Sequence, residues 1–283
     1  YGAVDLKDLI IARDYQDFET LISTSYPYVY AEEKTGECIE ELKDYSEDSI
    51  PVLSNDNKIL GVITAQDLVE AVDEEMGDDY AKLAGLTAEE DLNEPFKDSV
   101  KKRLPWLLLL LVLGLVVSSV VSIFEGVVQQ ITLVVAFQSL ILDMAGNVGT
   151  QSLAVTIRVI MDEALSKKDE RKLIFKEMRV GFTNGMILGV LAFVAIGVYI
   201  LVFKGKSVPF SFSVSGCIGI SLLFAMVVSS LVGTVVPLFF KKINIDPAVA
   251  SGPLITTVND LVAVVSYYGI VWILLINILQ LVE

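Results

Sequence analysis

Asp260 lies inside the apolar run 254–282, with Thr256, Thr257 and Asn259 beside it and no Lys or Arg anywhere in the run. A carboxylate within a membrane span costs about 2.5–3.5 kcal/mol on insertion scales, so it faces a protein interior or an aqueous path and marks where something polar passes. A cation suits that chemistry. Gly252, Thr256 and Asp260 recur at i, i+4 and i+8, so a helix would turn a small residue, a hydroxyl and a carboxylate the same way. The structural alternative for Asp260 is a hydrogen bond to a neighbouring helix. A second set falls in the run 143–152, where Asp143, Asn147 and Gln151 recur every four residues around Gly146 and Gly149. This run is too polar and too Gly-rich for a lipid-facing helix. It is expected to leave the helical ladder, which at membrane depth requires burial in protein or a wet cavity. Asp143, Asn147 and Gly149 are then pore-lining candidates, with a closely packed helix end near the surface as the alternative. Asp246-Pro247 forms a third feature, which taken alone reads as an ordinary helix cap.

What the chain lacks narrows the chemistry further. It has no His, the commonest general base and transition-metal ligand, and this leaves oxygen donors suited to hard cations. Cys38 and Cys217 are too far apart in sequence for a metal-ligand spacing and form no disulfide framework. No nucleophile–base pair or phosphate-binding Gly loop is present, so an enzyme is not expected. The opening Tyr1-Gly2, without a signal peptide, reads as a truncated start, and targeting rests with the membrane spans.

The elements that must hold these residues follow from composition. The 283-residue chain carries a formal charge of −15, but residues 1–100 hold 26 acidic and 7 basic residues, whereas residues 101–283 hold 10 and 14. An acidic soluble part precedes a membrane part. Five apolar segments, near 104–124, 127–146, 180–203, 212–240 and 254–282, are long enough to cross about 30 Å of hydrocarbon. Basic residues precede the first segment (Lys101, Lys102, Arg103). They crowd the connection from Arg158 to Arg179 and close the fourth segment (Lys241, Lys242). The positive-inside rule puts these on the cytoplasmic side and the C-terminus outside.

Within the acidic part, the stretch 2–10 returns 59 residues later as 61–69, a repeated supersecondary unit. Between the copies the pattern predicts a strand near 28–31, a helix over 38–45, strands over 50–53 and 59–64, and a helix over 66–75. This order and the Gly61-Val62-Ile63-Thr64-x-x-Asp67-Leu68 tail resemble a CBS module, complete once and represented earlier only by its tail. By that resemblance Thr64 and Asp67 are nucleotide-contact candidates, with ATP as a further ligand. They are equally a helix cap and its neighbour.

The CBS-like part, the acidic connection, the sequence 145–152 (AGNVGTQS) and the sequence 246–260 (DPAVASGPLITTVND) together resemble the MgtE family of magnesium channels or transporters. The resemblance implies an α-helical polytopic membrane protein of five transmembrane helices, with an N-terminal cytoplasmic α/β CBS domain. It divides the chain into a CBS region over 1–75, an acidic connecting segment or gating helix over 76–103, and a pore domain over 104–283. It implies Mg²⁺ influx through a cell-membrane protein, with Asp260 as the pore carboxylate and Asp246 near the cytoplasmic mouth. Mg²⁺ is commonly held through one or two carboxylates with several waters retained, so one Asp260 per chain suits a homodimer with its pore on the two-fold axis. Asp73, Glu74, Asp78, Asp79, Asp91 and Glu94 crowd the connecting segment. Bound Mg²⁺ would relieve their repulsion and close the entry route, although such a run is also an ordinary solvated linker. The expected partners are divalent cations, lipid and a second copy of the chain, with no nucleic acid. The alternative functions are a CBS-regulated secondary transporter exchanging divalent cations and a carrier of another small ion.

Overall fold

The computed structural model describes residues 2–42, 49–87, 92–130, 132–162, 165–250 and 252–280. Two compact units divide near Asp78 and Asp79. The first opens with α1 (Leu6–Ile11), capped by the Asp5 carboxylate, which accepts from Lys7 N at 2.9 Å. It then builds β1 (Val29–Tyr30), α2 (Thr35–Leu42), β2 (Ser49–Leu53) and β3 (Ile59–Thr64). β1 runs parallel to β2, and β2 antiparallel to β3 with Ile50 opposite Ile63. Asn57 adopts a left-handed conformation, φ 57°, in the turn between β2 and β3, a conformation Asn tolerates better than most residues. Val29, Leu42 and Ile50 form the small buried core. The predicted strand over 59–64 matches β3.

The helix expected over 66–75 is longer. α3 runs Ala65–Leu83, and a left-handed Gly85 (φ 82°) ends it. Gly85 N bonds Lys82 O and Leu86 N bonds Ala81 O, both at 2.9 Å, which is the Schellman arrangement that satisfies the last carbonyls.

The second unit contains α4 (Phe96–Ile123), the short α5 (Glu125–Gln130), α6 (Thr132–Asp162), α7 (Lys167–Phe203), α8 (Val208–Lys242) and α9 (Gly252–Val271). α9 continues into a π-helical stretch, Trp272–Ile278. Among the described residues, five helices are long and apolar enough to cross a membrane, as the five apolar runs predict. No residue of α4 is buried, whereas α8 buries one side between Ser211 and Pro237 and packs against α6, α7 and α9. The core joins Ile141 and Val148 of α6, Ile196 and Ile200 of α7, Ile218 and Met226 of α8, and Val264 and Tyr268 of α9. Tyr267 donates to Val134 O at 2.8 Å and Tyr268 to Gln138 Oε1 at 2.6 Å, so α9 is hydrogen-bonded as well as packed against α6.

One expectation is corrected here. The run 143–152 does not leave the helical ladder: α6 is unbroken through it, and the second span is 133–160 rather than 127–146. The physical reason is close helix packing. A β-carbon at Gly233 of α8 would collide with the Gly149 carbonyl oxygen. One at Gly149 would collide with the Asn259 amide nitrogen and stand 2.9 Å from its Cγ. Glycine lowers helix propensity by about 1 kcal/mol relative to Ala, but small residues let backbones approach and gain dispersion contacts.

Candidate functional site

The two polar stripes lie on adjacent helices. Asp143, Asn147 and Gln151 are all exposed along α6, and Asn147 Nδ2 donates to Asp143 Oδ1 at 3.2 Å. On α9, Gly252, Thr256 and Asp260 are half-buried. Thr256 Oγ1 and Thr150 Oγ1 stand 3.5 Å apart, and a β-carbon at Gly146 would sit 3.0 Å from Thr256 Cγ2. Thr256 therefore fills the space that Gly146 leaves on α6. Thr150 donates to Gly146 O at 2.9 Å and Thr257 to Pro253 O at 2.9 Å, so their hydroxyl protons are spent on their own helices and the oxygens remain acceptors. No hydrogen bond or ion pair reaches the Asp260 carboxyl among the described residues. The structural hydrogen bond weighed as its alternative use is not made among the described residues. Asn259, its neighbour, is fully buried, with neither side-chain atom bonded among the described residues.

Among the described residues, no three carboxylates or thiols are close enough to share a metal ion. Asp73, Glu74 and Asp78 are exposed along α3, and Asp91 lies outside the described residues. Glu94 pairs with Lys102 at 2.8 Å. Asp246 caps the 3₁₀ turn Pro247–Val249, its Oδ1 accepting from Ala248 N at 2.9 Å, and its Oδ2 meets Lys82 Nζ at 2.8 Å. Asp79 lies 3.6 Å from the same ammonium. Asp79 and Asp246, both expected to bind metal, thus share a partner, the Lys82 ammonium.

At the CBS tail, Thr64 and Asp67 hold each other. Asp67 Oδ2 accepts from Thr64 N at 2.8 Å and from Thr64 Oγ1 at 2.7 Å, and Asp67 N donates back to Thr64 Oγ1 at 3.2 Å. The Thr64 backbone N–H, and secondarily its hydroxyl, hold the Asp67 carboxyl below the usual carboxylate range. The pair caps the start of α3.

Sequence reasoning missed one buried network. Glu177 of α7 is 5% exposed, with its Oε2 3.1 Å from Ser152 Oγ of α6. Ser152 Oγ is 2.8 Å from Ser230 Oγ of α8, which donates to Glu177 O at 2.8 Å. A signal for it was available: Glu177, Gly181, Gly185 and Gly189 recur every four residues, and all four are buried on one face of α7.

An acidic α/β unit followed, among the described residues, by five helices long and apolar enough to cross a membrane, with polar stripes on two adjacent helices, has the make-up of a multi-pass membrane protein. The sequence model of the MgtE family, described as a divalent cation transporter, matches residues 138–270, and that of the CBS domain matches residues 17–74. Three curated relatives are named magnesium transporter MgtE. The protein of Enterococcus faecalis is 35% identical over 274 residues, that of Bacillus subtilis 32% over 269 and that of Thermus thermophilus 28% over 278. These alignments take in 95%, 95% and 97% of this chain but 57%, 58% and 59% of the relatives, so the chain spans under three-fifths of their length. The chain carries an MgtE-family domain and a CBS domain.

Proposed function

We propose that this protein passes Mg²⁺ across a cell membrane down its electrochemical gradient, as a homodimer whose pathway runs between facing copies of α6 and α9. The observation that carries this reading is the half-buried Asp260 carboxyl, unbonded among the described residues, at the end of the Gly252–Thr256 stripe. A single carboxylate is a poor cage for Mg²⁺, which takes octahedral oxygen ligands and keeps its waters. Two copies related by a two-fold axis would face one hydrated ion with two carboxylates and two rows of hydroxyl oxygens, and the relatives' names supply the ion. The test is Mg²⁺ uptake into liposomes containing the protein, with single-channel currents distinguishing a channel from a carrier. Absence of uptake in a folded, reconstituted protein would overturn the reading.

We place residues 1–75 and the connecting segment 76–103 on the cytoplasmic side, and the C-terminus outside, from the distribution of basic residues. A cysteine introduced next to Lys206 should then react with an impermeant thiol reagent from outside, and one next to Lys168 should not. The opposite pattern would invert the topology.

Regulation follows from the same side of the membrane. Asp73, Glu74, Asp78, Asp79, Asp91, Glu94 and Asp246 bind cytosolic Mg²⁺ and draw the connecting segment onto the mouth, because a ligand shifts an equilibrium only toward the state it prefers. Removing Asp91 and Glu94 together as Ala variants, or Asp246 as Asn, should raise the Mg²⁺ concentration that half-inhibits uptake by roughly fivefold or more, the lower end of the usual allosteric coupling. An unchanged inhibition curve would return the acidic run to a solvated linker. ATP is a further ligand of this reading at Thr64 and Asp67, which would have to release each other to bind it.

A further inference from the structure

We propose that Lys82 is a tethered cation that occupies the mouth carboxylate Asp246 and seats the end of α3 there without any metal. This rests on the reading of Asp246 as the cytoplasmic mouth of the pathway. Four observations carry it. First, Lys82 Nζ is 2.8 Å from Asp246 Oδ2 and 3.6 Å from Asp79 Oδ1, so one ammonium answers two of the carboxylates assigned to Mg²⁺. Second, both ends of the pair are held in place. The other oxygen of Asp246 is bonded to Ala248 N, and Lys82 stands in the last turn of α3, where its carbonyl is tied to Gly85 N by the helix cap. A cation in that turn is also favoured by the helix dipole.

Third, the backbone beside Lys82 follows the ammonium onto the mouth. A β-carbon at Gly252, the first residue of the α9 stripe, would stand 3.4 Å from Leu83 O. Fourth, Gly85 is wedged against α4 and α9: a β-carbon there would lie 2.6 Å from Trp106 Nε1 and 3.3 Å from Pro253 Cγ. Gly85 is the residue whose left-handed conformation ends α3, so the helix stops where it meets the mouth. The ion pair joins residues 164 apart in sequence, and its formation requires the connecting segment to be docked. It therefore stabilises the docked state alone, and it does so with a cation the chain already carries. Mg²⁺ arriving at Asp79 and Asp246 has to displace or supplement this ammonium.

Lys82 and Asp246 are 30% and 42% exposed in their side chains. Solvent screening limits the bias of such a pair to about two- to fivefold in the docked-to-undocked ratio. The test uses the full-length protein in membranes with EDTA on the cytoplasmic side. In wild type, the segment 76–87 should resist an added protease. Lys82→Gln should be cut about two- to fivefold faster, as that bias implies, and Lys82→Arg should stay close to wild type. The exchange Lys82→Asp with Asp246→Lys should restore protection. Mg²⁺ current measured under the same chelation should rise in Lys82→Gln by the same factor and fall back in the exchange variant. Cleavage of Lys82→Gln at the wild-type rate in EDTA, or failure of the exchange to restore protection, would overturn the proposal. A wild type that carries no Mg²⁺ current would instead overturn the transport reading, and the protease comparison would still decide the role of Lys82.

Discussion

Asp260→Ala should remove at least about nine-tenths of Mg²⁺ flux in reconstituted liposomes, equivalent to about 1.4 kcal/mol of lost stabilisation of the ion in the pathway. The dimer should remain intact on size exclusion, because Asp260 is half-buried and bonded to no described residue, so the substitution breaks no contact that holds the fold. The loss is of charge. A hydrated divalent ion entering low-dielectric surroundings loses solvation that only a counter-charge offsets, and Thr256 offers an uncharged oxygen in its place. Asp260→Asn keeps the shape and an oxygen acceptor, and should pass less Mg²⁺ than wild type or lose discrimination against monovalent ions. Wild-type flux in Asp260→Ala would reduce this residue to a packing role.

Gly233→Val should have the largest effect on stability. The added β-carbon would run into the Gly149 carbonyl oxygen and stand 3.0 Å from its carbonyl carbon, and backbone cannot rotate away as a side chain can. Overpacking a core typically costs about 1–3 kcal/mol. The apparent melting temperature in detergent should therefore fall by about 5–10 °C, on the scale of a few degrees per kcal/mol for a chain of this size. Gly114→Ala is the matched control: nothing stands within 4 Å of its β-carbon position on the uncovered helix α4. There the substitution should leave the melting temperature unchanged or raise it, since Ala is the better helix former by about 1 kcal/mol. Equal destabilisation by both variants would mean that the α6–α8 approach at Gly149 is not what limits stability.

The parts of this architecture that depend on local pattern were legible in the sequence. β3 falls where alternation and the turn at 55–57 put it, and five apolar runs correspond to five long helices. The second span was misplaced because its polar and small residues weaken the hydropathy signal. Gly146, Gly149 and Ser152 make a helix in this setting by fitting against Thr256, Asn259 and Ser230, partners 78 or more residues away. Gly85 was readable as a helix stop and would have extended the predicted CBS helix to its true end. The role of Lys82 was not readable, because nothing local pairs a lysine on one helix with an aspartate 164 residues on. Glu177 was legible only as a charge near a span. Its spacing with Gly181 and Gly185 indicates a shared face, but not that Ser152 and Ser230 meet there.

The Glu177–Ser152–Ser230 network has a mechanical consequence for how a pathway lined by α6 can open. Three helices are riveted at that point, and above it Gly189 and Gly219 of α7 and α8 bring backbone against backbone: a β-carbon on either would stand within 2.8 Å of the other's carbonyl oxygen. Close-packed interfaces of this kind switch between discrete arrangements and do not slide by small increments. α6, α7 and α8 therefore behave as one stiff block, and the proposed pathway beside Asn147 and Asp143 would have little freedom to widen on its own. The freedom lies at α4, none of whose residues is buried. Under the proposed function, a pathway built in this way would open at its ends, with its walls held still.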